Sequence, residues 1–224
     1  PKRLIIGIGG SATNDGGAGA LCALGVRFFN AGGEEIAQGG AALADLAYID
    51  TDGLNPLLER TEILVACDVD NPLTGDRGAS AIFGPQKGAT PEMVAQLDGA
   101  RARFAELARA AAKKDMANSP GAGAAGGLGA GLLFFTPAVL RPGIGIVLEA
   151  TRIDARDRDA DLVLTGEGHT DYQTAYGKAP AGVAAAAKLH GKPGICISGG
   201  MGKGVEALYG QGIDAVASAA CSAA

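Results

Sequence analysis

Short apolar runs alternate along this chain with stretches in which apolar residues recur every three or four positions, and that alternation predicts an α/β fold. Leu4 to Ile8 reads as a strand, Ala18 to Leu24 as a short helix, and Thr61 to Val69 as a second apolar strand. Val26 to Phe29 and Glu35-Ile36 read as a hairpin-like excursion turning through Ala31-Gly32-Gly33. Thr90-Pro91-Glu92 supplies an N-cap, a first-turn proline and a first-turn acid. The helix that follows sets Met93, Leu97, Ala100, Phe104, Leu107 and Ala111 on one packing face. The last third reads as strand (Asp161 to Thr165), helix (Ala179 to His190), strand (Gly194 to Ser198), short helix (Val205 to Tyr209) and strand (Asp214 to Ser218). This is a parallel βαβαβ unit with right-handed crossovers. A boundary near Asp159 divides the chain into a central α/β domain with Gly-rich ligand loops (1–158) and a partial Rossmann-like unit (159–224).

Composition narrows the picture. At 224 residues and 47% hydrophobic the chain can bury a substantial core, and a net charge of −5 with scattered basic residues argues against nucleic acid. Glycine is abundant at 37 residues and aromatics are scarce at 4%, so backbone groups rather than aromatic walls should hold ligands. Ser119 to Leu140 carries no charge, but six glycines from Gly121 to Gly131 and Pro137 leave too little apolar surface for a membrane span. Cys22, Cys67, Cys196 and Cys221 lie far apart without a C-x-x-C, and read as reduced core thiols of a cytoplasmic protein. Because the chain opens on Pro1 directly before a strand, it reads as an internal piece of a longer protein.

The candidate chemistry gathers in loops after strands. Gly7 to Gly19 offers unobstructed N–H donors from Gly9, Gly10, Gly16 and Gly17, with Ser11, Thr13, Asn14 and Asp15 beside them. Such a loop suits a phosphate or a hydroxy acid. Gly7-x-Gly9-x-x-Ala12 matches a dinucleotide fingerprint loosely, with Glu34 and Glu35 as ribose acids; the loop is too long for a turn opening straight into a helix. Asp68 and Asp70 fall on one side of an extended backbone, where they can hold Mg²⁺ or orient a hydroxyl, or with Asn71-Pro72 simply make a turn. Lys87 occupies a tight loop, Phe83 to Gly88. Gly166 to Lys178 and Ser198 to Gly204 read as two further loops, the first holding Glu167, His169, Asp171, Gln173, Thr174 and Lys178 at a helix N-terminus suited to anions. His169 reads as a general base or a surface histidine, and His190 as a helix C-terminal cap.

IIGIGGSATNDGGAG, ACDVDNPLTG, GASAIFGPQKGATPEM, GAGAAGGLGAGL, DLVLTGEG and DYQTAYGKAPAGVA stand in the order and character of the bacterial glycerate kinase family, which this chain resembles from Leu4 to about Ser218. The resemblance implies two α/β domains, the second contributing a parallel βαβαβ Rossmann-like unit, with an active-site cleft between them. It also implies transfer of the ATP γ-phosphoryl group to a hydroxyl of D-glycerate with Mg²⁺, to give 2-phosphoglycerate or 3-phosphoglycerate. Family members begin with a strand and a PDSFKGS-like loop and end on a further helical segment, so part of the implied active site is expected outside this sequence. His169 stands where the family has Arg in a GEGR string, removing a bidentate donor, and Gly145 stands where an acid is usual.

In the role assignment that follows, Ser11, Thr13, Asn14 and the Gly9–Gly17 amides bind phosphate or glycerate oxygens, with Asp70, Asn71, Gln173 and Thr174 among the substrate contacts. Asp15 or else Asp68 takes the substrate hydroxyl proton. Asp171 joins them as a catalytic candidate and, with Glu167, as a Mg²⁺ ligand. Lys87 and Lys178 neutralise carboxylate or phosphate. The partners implied are D-glycerate and ATP, with a homodimer left open and neither nucleic acid nor membrane. The alternatives are an NAD(P)-linked oxidoreductase of small hydroxy acids and a non-catalytic nucleotide or sugar-acid binding protein.

Overall fold

Strands form where the apolar runs lie and helices where the periodicity changes, giving an α/β architecture in a computed structural model that describes residues 2–175 and 178–220. The chain divides into two units between Arg141 and Pro142. The boundary expected near Asp159 differs from this division by two short helices, which pack on a later helix of the second unit.

In the first unit β1 (Arg3–Gly7) is followed by α1 (Ala18–Ala23), β2 (Arg27–Phe29), β3 (Tyr48–Asp50), β4 (Glu62–Ala66), α2 (Ala79–Phe83), α3 (Pro91–Ala112), α4 (Ala124–Phe135) and β5 (Val139–Arg141). β4 lies between β1 and β5, all parallel, with Gly7 opposite Ala66 and Ala66 opposite Arg141. The strand expected to reach Val69 stops at Ala66, where the chain leaves the sheet. The hairpin-like excursion is present: Glu35 bridges Phe29 antiparallel, the Ile36 N–H donates to the Phe28 carbonyl at 3.0 Å and the Asn30 N–H to the Glu34 carbonyl at 2.8 Å, while the ladder partner of β2 is β3, also antiparallel. The core gathers Leu21, Phe28, Leu43, Leu73, Phe104 and Phe134, with Phe104 edge-on to Phe134.

Thr90 caps α3 as its sequence predicts, its hydroxyl accepting the Met93 N–H at 3.3 Å. Ala100, Phe104 and Ala108 are its buried apolar residues, while Met93, expected on the packing face, is half exposed in the first turn. Leu21 of α1 is buried and Cys22 next to it is exposed, which corrects the reading of Cys22 as a core thiol; Cys67 is half-buried, Cys196 buried, and Cys221 lies outside the described residues.

The second unit runs α5 (Gly143–Thr151), α6 (Ile153–Asp159), β6 (Val163–Thr170), α7 (Ala179–Leu189), β7 (Gly194–Met201) and β8 (Ala215–Ser218), with β7 central in a parallel three-stranded sheet. The predicted strand–helix alternation holds, except that Val205–Gln211 is a 3-10 helix. Ala181, Ala184, Cys196, Leu208 and Ile213 form its core. His190 stands at the end of α7 with Nε2 2.7 Å from the Asp154 carboxylate on α6. No helix among the described residues is long and apolar enough to cross a membrane.

Candidate functional site

Because Gly7 and Ala66 are paired neighbours, the Gly-rich loop and the Cys67–Leu73 loop leave the same carboxyl edge of the first sheet. In parallel α/β sheets that edge is where ligands bind. The chain stays irregular from Ile8 to Gly17 before α1 begins, longer than a dinucleotide-binding turn. Glu35, a candidate ribose acid, is instead paired with Arg27 at 2.5 Å.

Asp15 stands at the entry to α1, its Oδ1 accepting the Gly17 N–H and its Oδ2 the Gly19 N–H, both at 3.0 Å. Its carboxylate thereby complements the helix N-terminus. Lys87 reaches the loop from the short turn Pro85–Lys87, its Nζ donating to Ser11 Oγ at 3.0 Å and to the Thr13 carbonyl at 2.7 Å. Burial pushes the Lys87 pKa down and the charge of Arg101 adds to this, while Asp15 opposes it.

Gly9, Gly10, Ser11, Asp68 and Lys87 line a cavity of about 230 Å³. Thr13, Asn14 and Asp15, further along the same loop, line a second of about 1010 Å³ with Cys22, Phe28 and Glu35. Asp70 and Asn71 line neither: Asp70 pairs with exposed Arg77 at 3.1 Å, and Asn71 Nδ2 donates to the Arg77 carbonyl at 2.9 Å. Both residues thus shape the turn they were weighed as making.

The stretch from Gly121 to Gly131 backs the loop. Gly126 has φ +66, and a Cβ there would stand 2.1 Å from the Thr13 carbonyl oxygen; its own carbonyl accepts the Gly16 N–H at 3.0 Å. The glycines therefore permit backbone-on-backbone packing under the candidate ligand loop. Sequence reasoning also missed Arg101, whose guanidinium donates to the backbone and side-chain oxygens of Asn14 and to Ser80 Oγ.

In the second unit the loop readings are corrected. Gly166 to Thr170 pairs with β7 as strand, so the loop after β6 begins at Asp171 and the one after β7 at Gly202. Glu167, half-buried, and His169, exposed, are both strand residues. Buried Thr174 joins two candidate acids, its hydroxyl donating to Glu167 Oε1 and accepting the Asp171 N–H at 3.2 Å. Asp171 Oδ1 accepts the Gln173 N–H at 2.9 Å, and Gln173 Nε2 donates to the Tyr172 hydroxyl at 3.1 Å. The His169 ring lies against Gly200 and Gly202, where a Cβ would approach its nitrogens to 3.2 and 2.9 Å. Lys178 is exposed at the N-cap of α7, and its neighbours Tyr176 and Gly177 lie outside the described residues. Among the described residues no three His, Cys, Asp or Glu gather as a metal cage; the Thr174 hydroxyl meets the Glu167 carboxylate and the Asp171 main-chain N–H, while the Asp171 carboxylate accepts the Gln173 N–H. Mg²⁺ commonly takes one or two carboxylates plus substrate oxygens, and Glu167 and Asp171 supply carboxylates of that kind at the end of β6.

The sequence profile of the glycerate kinase family matches residues 1–224. The chain belongs to the glycerate kinase family. It is 54% identical over 215 residues to a glycerate kinase of Bacillus subtilis, and 50% identical over 214 residues to a glycerate 2-kinase of Escherichia coli. Each alignment covers 96% of this chain and 56% of the relative. A crystal structure from Salmonella typhimurium LT2, assigned as a glycerate kinase 2, matches at a TM-score of 0.87 and 53% identity over 97% of this chain and 56% of that one. The chain thus spans about half the length of these family members.

Proposed function

We propose that the chain carries ligand-holding loops of an ATP-dependent kinase that phosphorylates D-glycerate to 2-phosphoglycerate. The observation that carries the reading is Lys87, whose ammonium is fixed on Ser11 and Thr13 within a Gly-rich loop at the wall of a 230 Å³ cavity that also holds Asp68. A space of that size suits a three-carbon acid and is too small for a nucleotide, whereas the adjoining 1010 Å³ cavity is of nucleoside size. Glycerate offers a carboxylate to the ammonium and hydroxyls to the acid.

Phosphoryl transfer asks the protein for positioning and charge stabilisation more than for covalent chemistry. In this reading the Gly9–Gly17 amides, Ser11 and Thr13 hold carboxylate or phosphate oxygens, and Lys87 neutralises them. Asp68 takes the substrate hydroxyl proton; Asp15, with both oxygens on α1 amides, shapes the loop. Glu167 and Asp171 would hold Mg²⁺, and Lys178 at the start of α7 would meet phosphate. The metal supplies charge neutralisation between phosphate oxygens when bound. Identity to a relative named as a 2-kinase supports the 2-phospho product, and free thiols together with ATP use support a cytoplasmic reaction.

Coupled detection of ADP from D-glycerate and MgATP, run beside an NAD(H) absorbance assay, tests this. Glycerate-dependent ADP release with no nicotinamide signal is expected, and phosphorus NMR of the product should show coupling to the C2 proton. Ligand binding without turnover in the full-length protein would point to a binding protein, and a nicotinamide signal to a dehydrogenase.

A further inference from the structure

Arg101 is fully buried, yet every acceptor it meets is neutral: the Asn14 carbonyl at 3.2 Å, the Asn14 carboxamide oxygen and the Ser80 hydroxyl. Its buried Nε has no partner. The acid that acts on it electrostatically, Asp98 one turn earlier on α3, already accepts the Gly75 N–H with both oxygens at 3.2 and 3.1 Å. Burial lowers the Arg101 pKa to about 10, which still leaves it a cation at neutral pH.

Lys87, the second cation at this loop, feels the charge of Arg101 and likewise donates only to a hydroxyl and a carbonyl. The local carboxylate, Asp15, is turned onto the amides of α1. Two cations thus converge on Thr13 and Asn14, while the acids that act on them, Asp98 and Asp15, are hydrogen-bonded to backbone amides rather than to either cation. A buried, unneutralised guanidinium is unfavourable for folding, and an apolar residue of similar volume would serve the core at least as well.

We infer that Arg101 is a fixed positive charge set behind the Gly9–Gly17 loop to draw an anion onto it, a positioning residue acting through Asn14 and alongside Lys87. The inference rests on reading this loop as an anion site and holds whether or not the bound anion is phosphorylated. An anion on the loop would add to the partial compensation that Asp98 gives from a distance.

The test compares Arg101→Met, Arg101→Gln and Arg101→Lys in the full chain. Calorimetric binding of inorganic phosphate and of D-glycerate is measured at low and high salt, below neutrality so that the lysine keeps its proton. Gln keeps a donor for Asn14 without the charge; Lys keeps the charge without the fork. Met and Gln should each weaken both anions by about tenfold and flatten the salt dependence, while Lys stays within about threefold of the parent. Native-like affinity in Gln, or a loss in Lys as deep as in Gln, would overturn the proposal. Should Met fail to fold, the contrast between Gln and Lys decides alone. A parent chain that binds neither anion also overturns it, whereas binding of both with no turnover in the full-length protein removes the kinase reading and leaves this one standing.

Discussion

Asp15 and Asp68 both sit at the carboxyl edge of one sheet, but their surroundings differ. Asp15 gives both oxygens to the amides of Gly17 and Gly19 and lines the larger cavity, and Asp68 stands on the exposed wall of the smaller one beside Lys87. Asp68→Asn should therefore cut kcat by roughly 10²–10⁴-fold without moving the melting temperature. Asp15→Ala should cost about 1–2 kcal/mol of stability through the lost bonds to the Gly17 and Gly19 amides, part of it restored in Asp15→Asn, which keeps one acceptor oxygen. Steady-state kinetics beside thermal melts check both, and a silent Asp68→Asn with an inactive, stable Asp15→Asn would exchange the two roles. The Gly-rich loop and Lys87 were legible as residue types, but the Lys87–Ser11 contact, 76 residues apart in sequence, was not. Arg101 escaped because a lone arginine on a helix reads as solvated; its spacing to Phe104 and Ala108, at i+3 and i+7, was the available sign that it faces inward.

Helix α3 was readable because proline, cap and period agreed, and its one interior glycine gives a clean contrast with the glycines under the ligand loop. Gly99 is exposed with open space around it, so Gly99→Ala should stabilise the chain by about 0.5–1 kcal/mol. Gly126→Ala meets both a positive φ and the Thr13 carbonyl, and should cost roughly 2–4 kcal/mol while weakening anion binding, read from denaturant melts and calorimetry. Strand β6 was misread past Thr165 because Gly-x-Gly suggests a turn. Its glycine answers a close strand instead, since a Cβ on Gly166 would stand 2.2 Å from the Ile197 carbonyl oxygen. Asp214 fastens the start of β7 to α7, accepting Lys188 Nζ at 2.8 Å and the Gly194 N–H at 2.7 Å, and these bonds hold its pKa below the usual carboxylate value. A depressed carboxylate pKa means that the unfolded chain binds more protons in acid, so this contribution is present above about pH 4 and is lost as pH falls through the folded value. The melting-temperature deficit of Asp214→Asn should accordingly be full near neutrality and shrink toward pH 3.

Over the whole chain, a parallel sheet in each unit was legible from apolar runs alternating with helical periods, whereas the division of labour between the two carboxyl edges was not. The first edge carries Lys87 with Arg101 behind it; the second carries Glu167, bonded to the Thr174 hydroxyl, and Asp171, whose carboxylate accepts the Gln173 N–H. On a molecule of net charge −5, an anion-holding edge needs this local cationic surplus, and a cation-holding edge needs clustered acids. The proposed function therefore assigns glycerate to the first set of residues and Mg²⁺ to the second, and the two assignments separate in one crossed experiment. Lys87→Met should weaken D-glycerate binding by roughly tenfold or more and leave the Mg²⁺ titration midpoint in place. Asp171→Asn and Glu167→Gln should each move the Mg²⁺ midpoint upward by a similar factor, measured calorimetrically in the presence of ATP, and leave D-glycerate affinity in the absence of metal unchanged. Thr174→Val keeps the shape and removes the hydroxyl that holds the Glu167 carboxylate and the Asp171 main-chain N–H, so it should reproduce the Glu167→Gln defect in part. If Lys87→Met shifts the metal midpoint as far as Asp171→Asn does, or if the acid variants weaken metal-free glycerate binding, the roles are not divided in this way and both ligands depend on one shared set of groups.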